Sequence, residues 1–168
     1  RAGAQTHLLH LVQGLDRRYV QPSVCCLIAG GPLADAMTES GVQVEVLHLK
    51  RIYGTGAGRA FCRLASWIRA RRIDIVHTYL VSANIFGTLA GRWGRAPAIV
   101  TSRRDTGFSR NWRLRLVEEW LVNPLVDRVT AVCGAAAAAA KRERWLRGKV
   151  VTIPNGIDPS NWRIEAGV

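Results

Sequence analysis

No apolar run in this 168-residue chain is long enough to cross a bilayer, and no signal-peptide pattern opens it. Cysteine is sparse as well. Cys25, Cys26, Cys62 and Cys133 contain no C-x-x-C pair, and the adjacent Cys25 and Cys26 point to opposite faces of any strand they share. They read as buried free thiols of a reducing, cytoplasmic setting, not as disulfides or metal ligands. The four histidines, His7, His10, His48 and His77, form no metal signature: His7 and His10 are spaced i,i+3, without an H-E-x-x-H or a nearby cysteine pair. Acidic residues are also short, 12 Asp and Glu against 24 Lys and Arg, mostly arginine, for a net charge of +12. That excess favours an anionic partner, whether nucleic acid, phosphorylated sugar or acidic membrane, and does not choose among them.

What is present is a core. Hydrophobic residues make up 48% of the chain, and one domain of this length buries roughly 70% of its unfolded surface. Ala4, Leu8, Leu11, Val12 and Leu15 recur at helical spacing, and Gln21–Ala29 reads as a strand broken by Gly30-Gly31-Pro32. The same alternation continues along the chain. Helix is expected at 33–39, around Phe61–Ile68, at 82–92, around Trp112–Leu121 and from Ala135. Strands are expected at 42–47, 73–77, 98–101, 129–133 and 150–153. No hairpin signal interrupts the series, so the expected fold is α/β: a Rossmann-like doubly wound parallel sheet in three layers, α/β/α. A helix comes first, at a chain start of Arg1-Ala2-Gly3 without methionine. The first strand of such a sheet is therefore expected to be missing from this chain.

Several motifs sit where such a sheet binds ligands. Gly3-Ala4-Gln5 opens the first helix with small residues, which lets an anion reach free backbone N–H groups. Asp74-Ile75-Val76-His77-Thr78-Tyr79 places His77 and Tyr79 at the end of a strand, facing the crevice, unless His77 is simply a hydrogen-bonded core residue. Pro97–Asp105 repeats that layout with Thr101-Ser102-Arg103-Arg104-Asp105, whose two guanidinium groups suit phosphate or carboxylate, or alternatively a surface salt-bridge cluster. Gly54-Thr55-Gly56-Ala57-Gly58 fails the dinucleotide fingerprint, because Arg59 stands where its last glycine is required; it reads as a flexible loop. Val150-Val151-Thr152 ends abruptly in Ile153-Pro154-Asn155-Gly156-Ile157-Asp158, a strand handing the chain to a turn.

Taken in order, these pieces resemble the N-terminal, acceptor-side domain of family-4 (GT-B type) glycosyltransferases. Arg1-Ala2-Gly3-Ala4-Gln5 is similar to the family's G-G-A-[EQ] loop, with Ala2 in place of the first glycine. Asp74–Tyr79 is similar to its D-[IV]-[IV]-H-x-[HN] strand, Asp127–Cys133 to D-R-[VI]-x-x-V-S, and Ile153–Asp158 to the IPNGID-type domain exit. The resemblance implies retaining transfer of a sugar from a nucleotide-sugar donor to a glycan, lipid-linked or small acceptor, without a metal or other cofactor. It assigns catalytic surroundings to His77, Arg104 and Asp105, and substrate contacts to Gly3, Tyr79, Asn84 and Arg103. Arg104 stands where many members have a histidine, and arginine cannot act as a base, so any base role moves to Asp105. Residues 1–158 would form this domain and 159–168 the start of a linker to an absent donor-binding domain, leaving the chain inactive alone.

Two other classes compete with this reading. One is a basic module binding nucleic acid or anionic lipid, against which the arginines are scattered rather than striped; nucleic acid is not the expected partner. The other is a GT-B-like sugar-nucleotide epimerase. Helix 110–122, with Arg110, Arg113 and Arg115 beside Trp112, Leu114 and Trp120, is expected to pack its apolar stripe into the core, with peripheral contact to an anionic membrane as a secondary use.

Overall fold

The computed structural model describes residues 3–49, 54, 56–104 and 112–156. In chain order these form α1 (Gly3–Gly14), β1 (Ser23–Cys26), α2 (Pro32–Glu39), β2 (Gln43–Val46), α3 (Ala57–Ala70), β3 (Ile75–Tyr79), α4 (Val81–Trp93), β4 (Ala98–Arg103), α5 (Trp112–Val117), β5 (Arg128–Ala131), α6 (Gly134–Arg142) and β6 (Val150–Thr152). A π-helical turn over Glu118–Val122 and a 3-10 turn over Asn123–Leu125 join α5 to β5. Every strand pair is parallel, as the alternation of elements requires.

The sheet comes in two pieces, β1–β2 and β3–β4–β5–β6 in that order. Among the described residues no strand pairing joins the two pieces. Both pieces nonetheless feed one main core: Leu47 and Leu49, after β2, cluster with Leu64, Ile85, Phe86 and Ile99. Strand alternation divides the side chains between two layers. In β1, Val24 and Cys26 meet Val12 of α1 and Met37 of α2, while Cys25 joins the main core. The neighbouring thiols do point to opposite faces. Burial pushes Cys25 up to about 12, so it is inert, whereas Cys62 and Cys133 are exposed rather than buried as expected.

Helix α4 lies close on β3 and β4. A Cβ on Gly87 would sit 2.7 Å from Thr78 Cγ2, and one on Gly91 would sit 2.6 Å from Ile99 Cδ1. Two glycines on one face let the backbone approach the sheet that closely. Arg92, near the end of α4, donates to Leu125 O from Nη2 at 2.7 Å and to Asp127 Oδ2 at 2.5 Å; the same carboxylate oxygen accepts from Ile99 N at 2.7 Å. That clamp sets where β4 and β5 begin.

Two expectations need correction. β3 runs to Tyr79, two residues past the expected end, because its pairing with β4 continues through Tyr79 and Ser102. The expected core stripe of the helix after residue 110 holds only in part. Leu114 and Val117 pack against the main core and Val122 is part of it, while Trp112, Leu116, Trp120 and Leu121 are exposed.

Candidate functional site

The register of the parallel strands decides which side chains meet. Tyr79 on β3 pairs with Ser102 on β4, and Ser102 with Thr130 on β5. His77 shares the face of Tyr79, two residues earlier. The result is a polar row across three strands, near the end of the sheet where open α/β folds bind ligands. His77 Nε2 lies 2.9 Å from Ser102 Oγ and 3.5 Å from Thr130 Oγ1, and the two hydroxyl oxygens are 2.8 Å apart. The ring of Tyr79 lies 4.5 Å from that of His77, with its hydroxyl 3.4 Å from Nδ1.

Helix α1 delivers a third element to the same place. His7 approaches Tyr79 at 6.4 Å between ring centres, and the Arg104 charge helps to lower its pKa, after burial as the larger cause. The first turn of α1, from Gly3, therefore opens beside the row. It contains no acidic side chain to occupy its N–H groups, and among the described residues nothing lies within 4 Å of where a Gly3 Cβ would be. Arg104, one residue past β4, donates from Nη2 to Asn155 Oδ1 at 3.0 Å. Asn155, from the closing hexapeptide, thus lies beside Arg104.

Electrostatics follow from these neighbours. Desolvation, then the nearby His7, push His77 down to about 4, so its imidazole is neutral at pH 7. It can both accept and donate hydrogen bonds to a hydroxyl-rich ligand. Burial raises the Tyr79 phenol, against smaller opposing effects of Ser102 and Arg104, so it stays protonated. Between Tyr79 and α4, Leu80 holds φ 74 and ψ 153, a conformation that costs a non-glycine residue on the order of 1–3 kcal/mol and often accompanies functional loops.

Two of the predicted residues, Asn84 and Arg103, lie elsewhere. Thr78, Asn84 and Arg103 occupy the opposite, α4-covered side of the sheet. Asn84 is buried; with its amide oxygen toward Arg103 it accepts from Nη1 at 2.7 Å and its nitrogen donates to Thr78 Oγ1 at 2.8 Å. Arg103 is 3% exposed. Its Nη1 binds Glu118 Oε1 at 2.9 Å, and its Nη2 binds Glu143 Oε2 at 2.8 Å and Asn123 Oδ1 at 3.3 Å. Neither an acceptor contact nor a surface cluster describes that placement: the guanidinium is enclosed, tying β4 to the turn after α5 and to the end of α6. Asp105, the glycine-loop residues 50–53 and 55, and Ile157-Asp158 lie outside the described residues. Ser102 and Thr130 were assigned no role by motif. Their parity with Tyr79 along paired strands is the signal that finds them.

A cavity of about 310 Å³ opens elsewhere, between α3, α4 and α5, lined by Ala57, Gly58, Phe61, Ile85, Phe86, Leu89, Leu114 and Val117. Its lining is almost entirely apolar, so the polar row is the better candidate for chemistry. Among the described residues no cluster of His, Cys, Asp and Glu is arranged to hold a metal, and no helix is long and apolar enough to cross a membrane.

Comparison with known proteins adds a family. The model of Glycosyltransferase Family 4 matches residues 1–161. The crystal structure of Anabaena Alr3699/HepE in complex with UDP is similar with a TM-score of 0.77 at 19% identity, covering 95% of this chain and 42% of that one. The UDP-glucose complex of the same protein is similar with a TM-score of 0.76 at 18% identity over the same shares. The chain thus spans less than half the length of these structures. No curated relative matches it.

Proposed function

The chain belongs to glycosyltransferase family 4, and on that premise we propose that it is the acceptor-side domain of a retaining transferase. The enzyme moves a sugar from a nucleotide-sugar donor to a glycan, lipid-linked or small acceptor in the cytoplasm. Residues 1–158 form the domain, residues 159–168 begin the link to a donor-binding domain, and the chain alone is inactive. The observation that carries this reading is the polar row of His77, Tyr79, Ser102 and Thr130 beside the open first turn of α1. UDP and UDP-glucose, bound by the Anabaena protein, indicate the donor class.

Each residue then has a task. The Gly3 end of α1 approaches the donor diphosphate, where free N–H groups and the helix dipole stabilise negative charge. Neutral His77, held by Ser102, orients an acceptor hydroxyl, with Tyr79 as a wall of the pocket. Arg104 supplies positive charge near the leaving group, steadied by Asn155, and Asp105 is the candidate base. Asn84 and Arg103 enter as the frame beneath the crevice. Transfer then rests on positioning and electrostatic stabilisation, with no metal required.

A turnover assay with a panel of labelled nucleotide sugars tests this. The 168-residue chain transfers nothing; joined to a family-4 donor-binding domain it transfers sugar, and Arg104→Ala in that fusion lowers the rate at least tenfold, the loss expected of one charge-stabilising contact of about 1.4 kcal/mol. Transfer by the 168-residue chain, or an unaffected Arg104→Ala fusion, overturns it.

A further inference from the structure

Tyr79 lies between two imidazoles, and the two are not used alike. The His77 ring centre is 4.5 Å from that of Tyr79, and the His7 ring centre 6.4 Å, with planes tilted by 50°. Both nitrogens of His77 already face partners within the row. Its Nε2 meets Ser102 Oγ at 2.9 Å, and its Nδ1 lies 3.4 Å from the Tyr79 hydroxyl. His7 has no hydrogen bond among the described residues, although it is half-buried. A partly buried imidazole has two nitrogens to satisfy and ordinarily finds partners for them. Packing fixes where this ring points. Leu8, Leu9 and Val12 give the apolar stripe of α1 to the cluster with Val24 and Met37, which turns His7 away from that stripe and toward Tyr79.

We propose that His7 is a further substrate-binding residue, whose imidazole hydrogen-bonds a hydroxyl of an acceptor sugar seated against the face of Tyr79. The groups around His7 select a hydroxyl over a phosphate. Burial, then Arg104 and then His10, lower its pKa from 6.5. From β3 it faces His77, which is neutral at pH 7, and the protonated Tyr79 phenol. None of these neighbours is a carboxylate that would favour the charged ring. At pH 7 His7 therefore presents one donor nitrogen and one acceptor nitrogen. A sugar hydroxyl both donates and accepts, so it can use either. A phosphate only accepts, and its match is the guanidinium of Arg104. The Tyr79 ring adds a flat apolar face for the C–H side of a pyranose. The acceptor is thereby narrowed to a molecule that presents a sugar ring.

Calling that sugar the acceptor rests on the transfer reading, but the test needs no donor. The histidine rings of the 168-residue chain are followed by NMR at pH 7 during titration with the methyl glycosides of glucose, galactose and mannose. Sorbitol is the open-chain control, and inorganic pyrophosphate is the anion probe. At least one glycoside should shift the His7 signals, while sorbitol should not, and exposed His10, one turn further along α1, should stay unmoved. His7→Leu should retain the far-ultraviolet spectrum and weaken glycoside binding, read on the His77 ring, by about fivefold to tenfold, the loss of one hydrogen bond. His7→Gln, which keeps a donor and an acceptor, should recover most of that loss. No shift of His7 with any glycoside, unchanged affinity in His7→Leu, or a shift with pyrophosphate alone overturns the proposal. A fusion that transfers sugar while His7→Leu binds like the parent refutes only the role of His7; an inactive fusion with glycoside binding intact refutes only the transfer reading.

Discussion

Arg103→Met tests the division between crevice and frame most directly. Methionine keeps much of the arginine stem and removes the fork. The Arg103 side chain is 3% exposed, that of Glu118 1% and that of Glu143 10%, so water cannot replace the lost hydrogen bonds. Removing one member of a buried ion pair costs about 3–5 kcal/mol, because the carboxylates that stay buried lose the guanidinium they face. In a domain of this size each kcal/mol lowers the melting temperature by about 2–4 °C, which gives a drop of about 6–20 °C. Thermal and urea unfolding followed by circular dichroism measure it. Adding Glu118→Leu should recover part of the loss, since it removes one of the two buried carboxylates that face Arg103; the excess over additivity is the coupling between the two sites. A single variant melting within about 2 °C of the parent, or a double variant no more stable than the single, refutes the buried-frame argument. Arg103 would then be free to serve a ligand.

Two further predictions follow from the groups described. His77 has a pKa near 4 when folded against 6.5 for the free side chain, so between these values the unfolded chain binds more protons and stability falls as pH drops from about 6.5 to about 4, with no further loss below both. His77→Asn should flatten that part of the pH dependence in urea midpoints; an identical slope in variant and parent counts against the depressed imidazole. Among the thiols, exposed Cys62 and Cys133 should react with Ellman's reagent promptly at pH 8, while Cys25, pushed up to about 12, and half-buried Cys26, also raised by burial, should react only on unfolding. Four equally fast thiols in the native chain would contradict the packing of β1.

Much of the architecture was legible because it depends on short-range pattern. Breaks at Gly30-Gly31-Pro32, the stripe Phe61–Leu64–Ile68 and the β-rich runs before Pro154 and after Pro97 each express a local conformational preference. Strand ends were less legible. β3 extends to Tyr79 because β4 is there to pair with it, which no property of Thr78 or Tyr79 announces. The helix after residue 110 misled for a similar reason. Periodicity marks a face as apolar, but Leu114 and Trp112 both satisfy a stripe, and only the position of α4 and the sheet decides which of them turns inward.

The candidate site divides in the same way. Sequence alone determined the alternating α/β order, the parallel sheet and the positions of His77, Tyr79 and Arg104 near strand ends, because a period of two and the rule for ligand sites in such sheets need only local information. Tertiary structure decided which polar residues became neighbours. Register across β3, β4 and β5 put Ser102 and Thr130 beside His77. Alternation sent Arg103 to the far side of the sheet from Arg104, one residue away. Adjacent residues of one chemical type thus ended in opposite environments, one sealed between two glutamates and the other beside Asn155. The sheet has two faces, and only the packing of the helices determines what each side chain on them meets.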